Sequence, residues 1–320
     1  MFYTFEQIEK VLNRIQKNHP EIEEVIVFYR EIVKNQLKVK KNIQLPPINL
    51  IEEKTKGKFQ KGFPLLELSL IPDSLEAYEA LAGDLVNLLK RRGPSVTAEM
   101  EKIRKNVMSD AHIFISLAQN YLLHNWTPIH DLAQDHCLDI ALLFFFIKSS
   151  VKPFAESLAE EITTNCNLPP WSEASCPICG SLPSLAYLRP AKSEGRVKNP
   201  CHSSNNGSQG DSRGKNPQQP LKRFLVCSLC NYYWPFPRLK CPFCQTERQD
   251  ALHYFCINSD EKGIRVDVCN DCKGYIKTIG YEYEPLTEEV LFLEDLNTIH
   301  LDLMAEKEGY CKKAKGIFSL

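Results

Sequence analysis

The sequence predicts an α+β multidomain protein: a helical N-terminal domain over residues 1–170, two small modules of cysteine knuckles and short strands, and a C-terminal helix. Three observations predict it. Four Cys-x-x-Cys pairs fall between Cys176 and Cys272. Short runs of strand character follow the pairs. The first half has apolar residues at three- and four-residue steps, the period of amphipathic helices.

The helices follow in order. Phe5, Ile8, Val11, Leu12 and Ile15 form the first stripe, and Pro20 separates it from the apolar stretch Ile22 to Val33. A lysine-rich segment, Lys38 to Lys41, leads to Pro46-Pro47, and residues 45–64 read as an extended connection. Pro72-Asp73-Ser74 predicts a helix start. Leu75, Tyr78, Leu81, Ala82, Leu85, Leu88 and Leu89 form its apolar face, and Gly93-Pro94 ends it. Further helices are predicted from Ser95 toward Met108 and around Ile113, Leu117, Tyr121 and Leu122. Thr127-Pro128 reads as a cap and a first-turn proline. The helix it opens carries Leu132, Ile140, Leu143, Phe144 and Ile147 and should stop before Pro153, with a last helix over Phe154 to Thr164. His112, His124, His130 and His136 build no ligand set and read as surface or core-edge residues. Cys137 and Cys166 lack Cys-x-x-Cys partners, and Cys137 reads as a small buried hydrophobe. No catalytic motif is present in this half.

The knuckles are Cys176-Pro-Ile-Cys179, Cys227-Ser-Leu-Cys230, Cys241-Pro-Phe-Cys244 and Cys269-Asn-Asp-Cys272. This spacing lets two thiolates of one turn reach one ion, and a closed tetrahedral site needs four ligands. Eight paired cysteines therefore imply two Cys₄ sites. Sequential pairing groups Cys176, Cys179, Cys227 and Cys230, then Cys241, Cys244, Cys269 and Cys272; with ten residues between Cys230 and Cys241, interleaving stays open. Gly180 and Asn231, each just after a knuckle, suit the left-handed turn that aims backbone N–H groups at sulfur. Gln245 and Lys273-Gly274 fit that turn less neatly. Strand candidates are Leu182 to Leu188, Phe224 to Val226, Tyr232 to Trp234, His253 to Ile257, Ile264 to Val268 and Tyr275 to Tyr281. Short strands joined by knuckles make rubredoxin-like or zinc-ribbon units, residues 171–240 and 241–284, whose folding depends on metal. Iron and zinc both accept four thiolates, and the choice is open. A thioredoxin-type pair, a c-type haem site and a ferredoxin cluster do not match. A polar insertion at about 190–220 reads as disordered, and its Cys201 and His202 are not needed as ligands. Residues 285–320 hold the C-terminal helix, with Val290, Leu293, Leu296, Ile299, Leu303 and Met304 on its stripe.

Composition narrows the function. The 320 residues are 43% hydrophobic and 25% charged, with net charge −1, an ordinary globular balance with no global pull toward nucleic acid or membrane. The longest apolar run, Ile140 to Ile147, falls far short of the roughly 18 residues of a membrane span. The N-terminus shows no export signal, so a reduced cytoplasmic setting is expected, where thirteen cysteines favour metal over disulfides.

The metal half resembles the formate dehydrogenase accessory protein FdhE family. Cys176-Pro-Ile-Cys179-Gly180-Ser-Leu-Pro looks like that family's opening knuckle. Cys227-Ser-Leu-Cys230, Trp234, Arg238, Cys241 and Cys244 are similar to its central block. Leu252-His253-Tyr254, Cys269-Asn-Asp-Cys272, Tyr275 and Lys277 are similar to its last. Asp295, His300-Leu-Asp-Leu303 and Glu308-Gly-Tyr310 resemble its C-terminal helix and tail. The insertion and the ending Gly316-Ile-Phe-Ser-Leu320 depart from the pattern. The resemblance implies a cytoplasmic, non-enzymatic maturation factor that binds the catalytic subunit of formate dehydrogenase. It also implies two Cys₄-ligated metal ions, with the eight knuckle cysteines as ligands. Neither nucleic acid nor membrane insertion is expected, and self-association is possible. The aromatic stretch Tyr232-Tyr-Trp-Pro-Phe236 is a candidate anchor for the partner, and core packing of Trp234 fits the sequence equally well. Two alternatives stand beside this reading. One is a nucleic-acid-binding zinc-ribbon protein using Lys222, Arg223, Arg238 and Lys240, weakened by the near charge balance of residues 221–284. The other is rubredoxin-like electron transfer.

Overall fold

The computed structural model describes residues 3–48, 52–71, 76–190, 220–256, 263–280, 283 and 288–314. Helix α1 (Phe5–Asn18) starts in a reciprocal cap: the Gln7 amide N–H donates to the Thr4 hydroxyl and the Thr4 amide N–H to the Gln7 side chain. Next come α2 (Glu23–Lys40), α3 (Glu52–Gln60), α4 (Glu76–Leu89), α5 (Pro94–Val107), α6 (Ala111–Leu122), α7 (Thr127–Asp135) and α8 (Ile140–Asn165). The predicted start at Pro72-Asp73-Ser74, the polar insertion and the final residues 315–320 lie outside the described residues.

The helical half differs from the sequence reading at four points. Residues 45–64 are not wholly extended, because α3 forms where buried Phe59 meets Trp171 edge-on at 4.8 Å. Thr127 is the first helical residue rather than the cap, a position taken by Trp126. The helix predicted to run through Ile140 instead breaks at Cys137, which has φ +50° and is exposed rather than buried. Asp139 then caps α8 by accepting from the Leu142 amide. Finally, α8 passes straight through Pro153. A proline inside a helix leaves the carbonyl four residues earlier without its donor. Here that carbonyl, on Ser149, accepts instead from the Gln36 side-chain amide of α2 at 2.8 Å.

The second half is one sheet. Strands β1 (Pro183–Pro190), β2 (Leu221–Cys227) and β3 (Tyr233–Phe236) form an antiparallel trio, as do β4 (Leu252–Phe255), β5 (Ile264–Cys269) and β6 (Gly274–Ile279). The order is β3-β2-β1-β6-β5-β4, and the trios join through a parallel β1–β6 pair with Leu185 opposite Lys277. Each trio has the same sequence of parts: knuckle, two strands, knuckle, strand. A short β7 (Cys311–Lys312), not foreseen, pairs with the start of β6.

Successive strand residues face opposite ways, and this sheet feeds two cores. Ala186, Leu225 and Ile276 join α4–α8; their neighbours Leu185, Val226 and Tyr275 join α1, part of α2 and the C-terminal helices. The predicted single C-terminal helix is three pieces: a tight turn over Glu288–Leu293, α9 (Glu294–Asn297) and α10 (Ile299–Lys307). The buried ammonium of Lys277 donates to the carbonyls of Asp295 at 2.7 Å and Thr298 at 3.3 Å, drawing off acceptors a continuous helix would use. The break turns the predicted stripe, so Leu301 and Ala305 are buried while Leu303 is 67% exposed. Among the described residues, no helix is long and apolar enough to cross a membrane.

Candidate metal centres

The fold brings the four knuckles together in sequential pairs. In each of the two groups the sulfurs lie within 4.8 Å of one another. In the first, Cys179 lies 3.4 Å from Cys227 and 3.6 Å from Cys230, and Cys176 lies 3.6 Å from Cys230. In the second, Cys241 is 3.8 Å from Cys272 and Cys244 is 3.6 Å from Cys269. A tetrahedral ion with metal–sulfur bonds of about 2.3 Å sets its sulfurs about 3.8 Å apart, so both groups fit one ion each.

The turns repeat the same bonds. The amide of Cys176 donates to Ser181, that of Cys227 to Tyr232 and that of Cys241 to Thr246, at 2.9, 2.8 and 2.9 Å. The residue after each knuckle is left-handed: Gly180 (φ 77°), Asn231 (58°), Gln245 (62°) and Lys273 (56°). Gln245 and Lys273, the less obvious candidates, therefore adopt the same turn. Amides of Leu229 and Cys230 point at the Cys227 sulfur, that of Phe243 at Cys241 and that of Gly274 at Cys272, all at 3.4 Å. Such bonds favour the thiolate over the thiol. Gly274 is required for packing, since a Cβ there would meet the Phe243 ring at 2.9 Å and the Cys272 sulfur at 3.2 Å.

Burial separates the two centres. All four sulfur residues of the first are buried, whereas Cys244 is exposed and Cys272 half-buried in the second. Burial pushes the Cys176 and Cys230 thiols far above their ordinary range, and their neighbours add to it. Burial also opposes ionisation of Cys179, but hydrogen bonding with Cys176, Cys227, Cys230 and Ser181 outweighs it and holds that thiol low. Four adjacent buried thiolates repel one another, and a bound cation is what makes full ionisation favourable.

The helical half grips the first centre. The amides of Leu65 and Leu66 donate to the carbonyls of Pro177 and Ile178 at 2.9 and 2.8 Å. His124 Nε2 lies 2.7 Å from the Cys179 carbonyl and must donate to it, because a carbonyl only accepts. Lys152 donates to the Leu229 carbonyl at 2.8 Å and to Asn231 at 3.1 Å. The Asn231 amide donates to Glu156 at 2.7 Å, and that buried carboxylate also takes the Tyr3 hydroxyl and the ammonium groups of Lys40 and Lys152. Sequence reasoning missed His124 and Glu156. Neither belongs to a motif, and both act on segments more than fifty residues away. Of the two readings of the aromatic stretch, the core one holds for Trp234: Trp234 and Phe236 are buried, and the Trp234 indole N–H donates to the Glu173 carbonyl.

A helical body clamped to a sheet with two closed four-cysteine centres defines a metal-stabilised α+β protein. The family model described as FdhE, C-terminal domain, matches residues 239–318. The FdhE homolog of Aquifex aeolicus is 26% identical over 314 residues, 96% of this chain and 94% of that one. Protein FdhE of Escherichia coli is 29% identical over 139 residues, 43% of this chain and 35% of that protein. The crystal structure of the FdhE protein from Pseudomonas aeruginosa superposes with a TM-score of 0.62 at 19% identity, covering 98% of this chain and 94% of that one. The chain is thus similar to FdhE proteins along nearly its whole length and carries a match to the FdhE C-terminal domain.

Proposed function

We propose that this protein is an accessory factor for producing active formate dehydrogenase, and that it binds that enzyme's catalytic subunit in the cytoplasm before assembly. The ligands of its two ions, iron or zinc, are Cys176, Cys179, Cys227 and Cys230, and Cys241, Cys244, Cys269 and Cys272. The observation that carries the reading is similarity to an FdhE homolog over nearly the whole chain, together with two centres whose four positions are all cysteine. Closed sites of this kind shape surfaces and leave no position for activating water. No residue is assigned a catalytic role. Near the first knuckle, Phe63 and Trp126 are 60% and 46% exposed, and Pro64 and His124 on the same segments pack against Gly180. Exposed aromatic side chains beside a rigid turn suit a protein contact.

The test is an anaerobic affinity capture from the native host with mass spectrometry. Recovery of the formate dehydrogenase catalytic subunit, lost in a Cys241→Ser/Cys244→Ser variant, supports the reading. Capture of nucleic acid or ribosomal proteins instead overturns it. Electron transfer is a second reading, favoured by the solvent exposure of Cys244. A visible spectrum that bleaches reversibly on reduction would support it, and a colourless zinc protein would eliminate it.

A further inference from the structure

Beside the second centre, a groove opens to solvent. The loop from Arg238 to Phe243 forms one wall, the sheet face carrying Asp267, Cys269 and Ile276 forms the floor, and β4, the last strand of the sheet, forms the outer rim. Four cationic side chains line it, Arg223, Arg238, Lys240 and Arg265, against one carboxylate, Asp267. Arg265 is engaged with Asp267 at 2.8 Å, and Arg223 is committed to the carbonyls of Pro237 and Lys240. Arg238 is exposed and has no carboxylate partner among the described residues, and Lys240 reaches only exposed Glu247 at 3.7 Å. Apolar surface accompanies the charge: Leu239 on one rim and Tyr254 on the other are each 63% exposed.

The sheet itself specifies the shape of an occupant. The two trios lie side by side in the same sense, so β4 holds the position in its trio that β1 holds in the other. The outer edge of β1 is covered by β6, running parallel to it. The corresponding edge of β4 ends the sheet, and no described strand pairs with it. An open edge of this kind accepts an added strand by main-chain hydrogen bonds, with side-chain pockets giving selectivity.

We propose that an extended, acidic segment of a partner polypeptide adds along the open edge of β4 at the rim of this groove, with its carboxylates on Arg238 and Lys240 and its apolar side chains between Leu239 and Tyr254. Two nearer candidates fit less well. A second copy would present its β3 edge, the counterpart of β6, but Pro235 removes a donor there, and Trp234 and Phe236 are buried. The chain's own 191–219 segment carries five basic residues (Lys192, Arg196, Lys198, Arg213, Lys215) against two acidic ones (Glu194, Asp211), the wrong charge for the site. The inference deepens the maturation-factor reading by naming the chemistry of the partner segment. It also ties that contact to the metal, because Cys241 and Cys269 line the groove.

The experiment uses the metal-loaded full chain and a fluorescein-labelled ten-residue peptide of alternating Glu and Val. Its controls are the Lys–Val counterpart and a single-stranded oligonucleotide. Fluorescence anisotropy should detect the acidic peptide alone. Arg238→Glu/Lys240→Glu should weaken its binding at least tenfold while metal content holds. Tyr254→Glu, well separated in sequence from the knuckle cysteines Cys244 and Cys269, should do the same if the double variant loses metal. Amide exchange across residues 252–255 should slow in the complex. Equal binding of the basic peptide, preference for the oligonucleotide, indifference to both variants, or unchanged exchange at β4 would each overturn the proposal. Affinity capture separates this from the broader reading. If wild type and the groove variants recover the catalytic subunit equally, the groove fails and the accessory role stands. If wild type recovers none, the accessory role fails, and the peptide titration still decides the groove.

Discussion

Replacing Glu156 by leucine should be among the most damaging single changes outside the cysteines. Its carboxylate is 2% exposed and lies 3.2 Å from Lys40 and 2.9 Å from Lys152, two ammonium groups that are themselves buried. It also receives the Tyr3 hydroxyl at 2.7 Å and the Asn231 amide at 2.7 Å. Lys40 keeps Glu160 at 2.7 Å, but Lys152 would retain only a carbonyl and an amide oxygen. Stripping one partner from a buried ion pair costs about 3–5 kcal/mol, because the remaining charge stays desolvated. That corresponds to roughly a hundred- to several-thousand-fold loss in the folded-to-unfolded ratio, and a fall of about 1 M or more in urea midpoint. The assay is urea unfolding of the metal-loaded chain followed by tryptophan fluorescence, since Trp171 and Trp234 are buried in the core that holds the first centre. A companion Lys152→Met/Glu156→Leu variant removes both charges and should recover most of the loss. A Glu156→Leu cost below about 1 kcal/mol, the range of a solvent-screened surface pair, would refute the reasoning. So would a companion variant as unstable as the single one.

Three further outcomes are expected. A chelator should strip the chain in two phases, the second centre first, because Cys244 is exposed and Cys272 half-buried while every ligand of the first is buried; metal analysis of Cys241→Ser/Cys244→Ser should show the fast phase missing. Gln36→Leu should cost about 1–3 kcal/mol in the same urea assay, by orphaning the Ser149 carbonyl opposite Pro153. Stability should also have an acid-sensitive part centred on Asp295. Burial opposes its charge, but Lys277 and Lys312 outweigh that and hold its carboxyl well below the usual range. A lowered folded pKa gives stability that is complete above the unfolded value near 3.9 and lost as pH falls below it toward the folded one. Asp295→Asn should therefore flatten the stability profile below about pH 4, as read by urea midpoints at stepped pH.

Much of this site was legible because its geometry is local. A Cys-x-x-Cys turn places two sulfurs within four residues, so the eight ligand candidates and the left-handed positions Gly180 and Asn231 stand out without any long-range information, while Gln245 and Lys273 were plain only in the structure. The sequential grouping of knuckles was the first of two arrangements open in the sequence, and the fold decided for it over interleaving. Helix stripes such as Ile8, Val11, Leu12 and Ile15 were readable for the same reason: one face of one helix meets one core.

The readings that needed correction turn on distant partners. Pro153 ends a helix by every local rule, yet α8 continues because Gln36 supplies a donor from another helix. The C-terminal stripe is periodic, yet it breaks because Lys277 on β6 captures two of its carbonyls. Tyr232 to Phe236 reads in isolation equally as a surface anchor or as core, and Trp234 is core because the Glu173 carbonyl and the first centre surround it.

By itself, then, the sequence determined the parts: helices in the first half, two sets of thiolates, six short strands and the turns that aim amides at sulfur. Each of those follows from contacts within a turn or two of chain. The tertiary structure decided how the parts share surface. It joined the two trios through a parallel β1–β6 pair, buried one centre against His124, Lys152 and Glu156, and left the other beside an open basic groove. Those outcomes depend on which far-apart segments exclude water together, and residue periodicity carries no record of that choice.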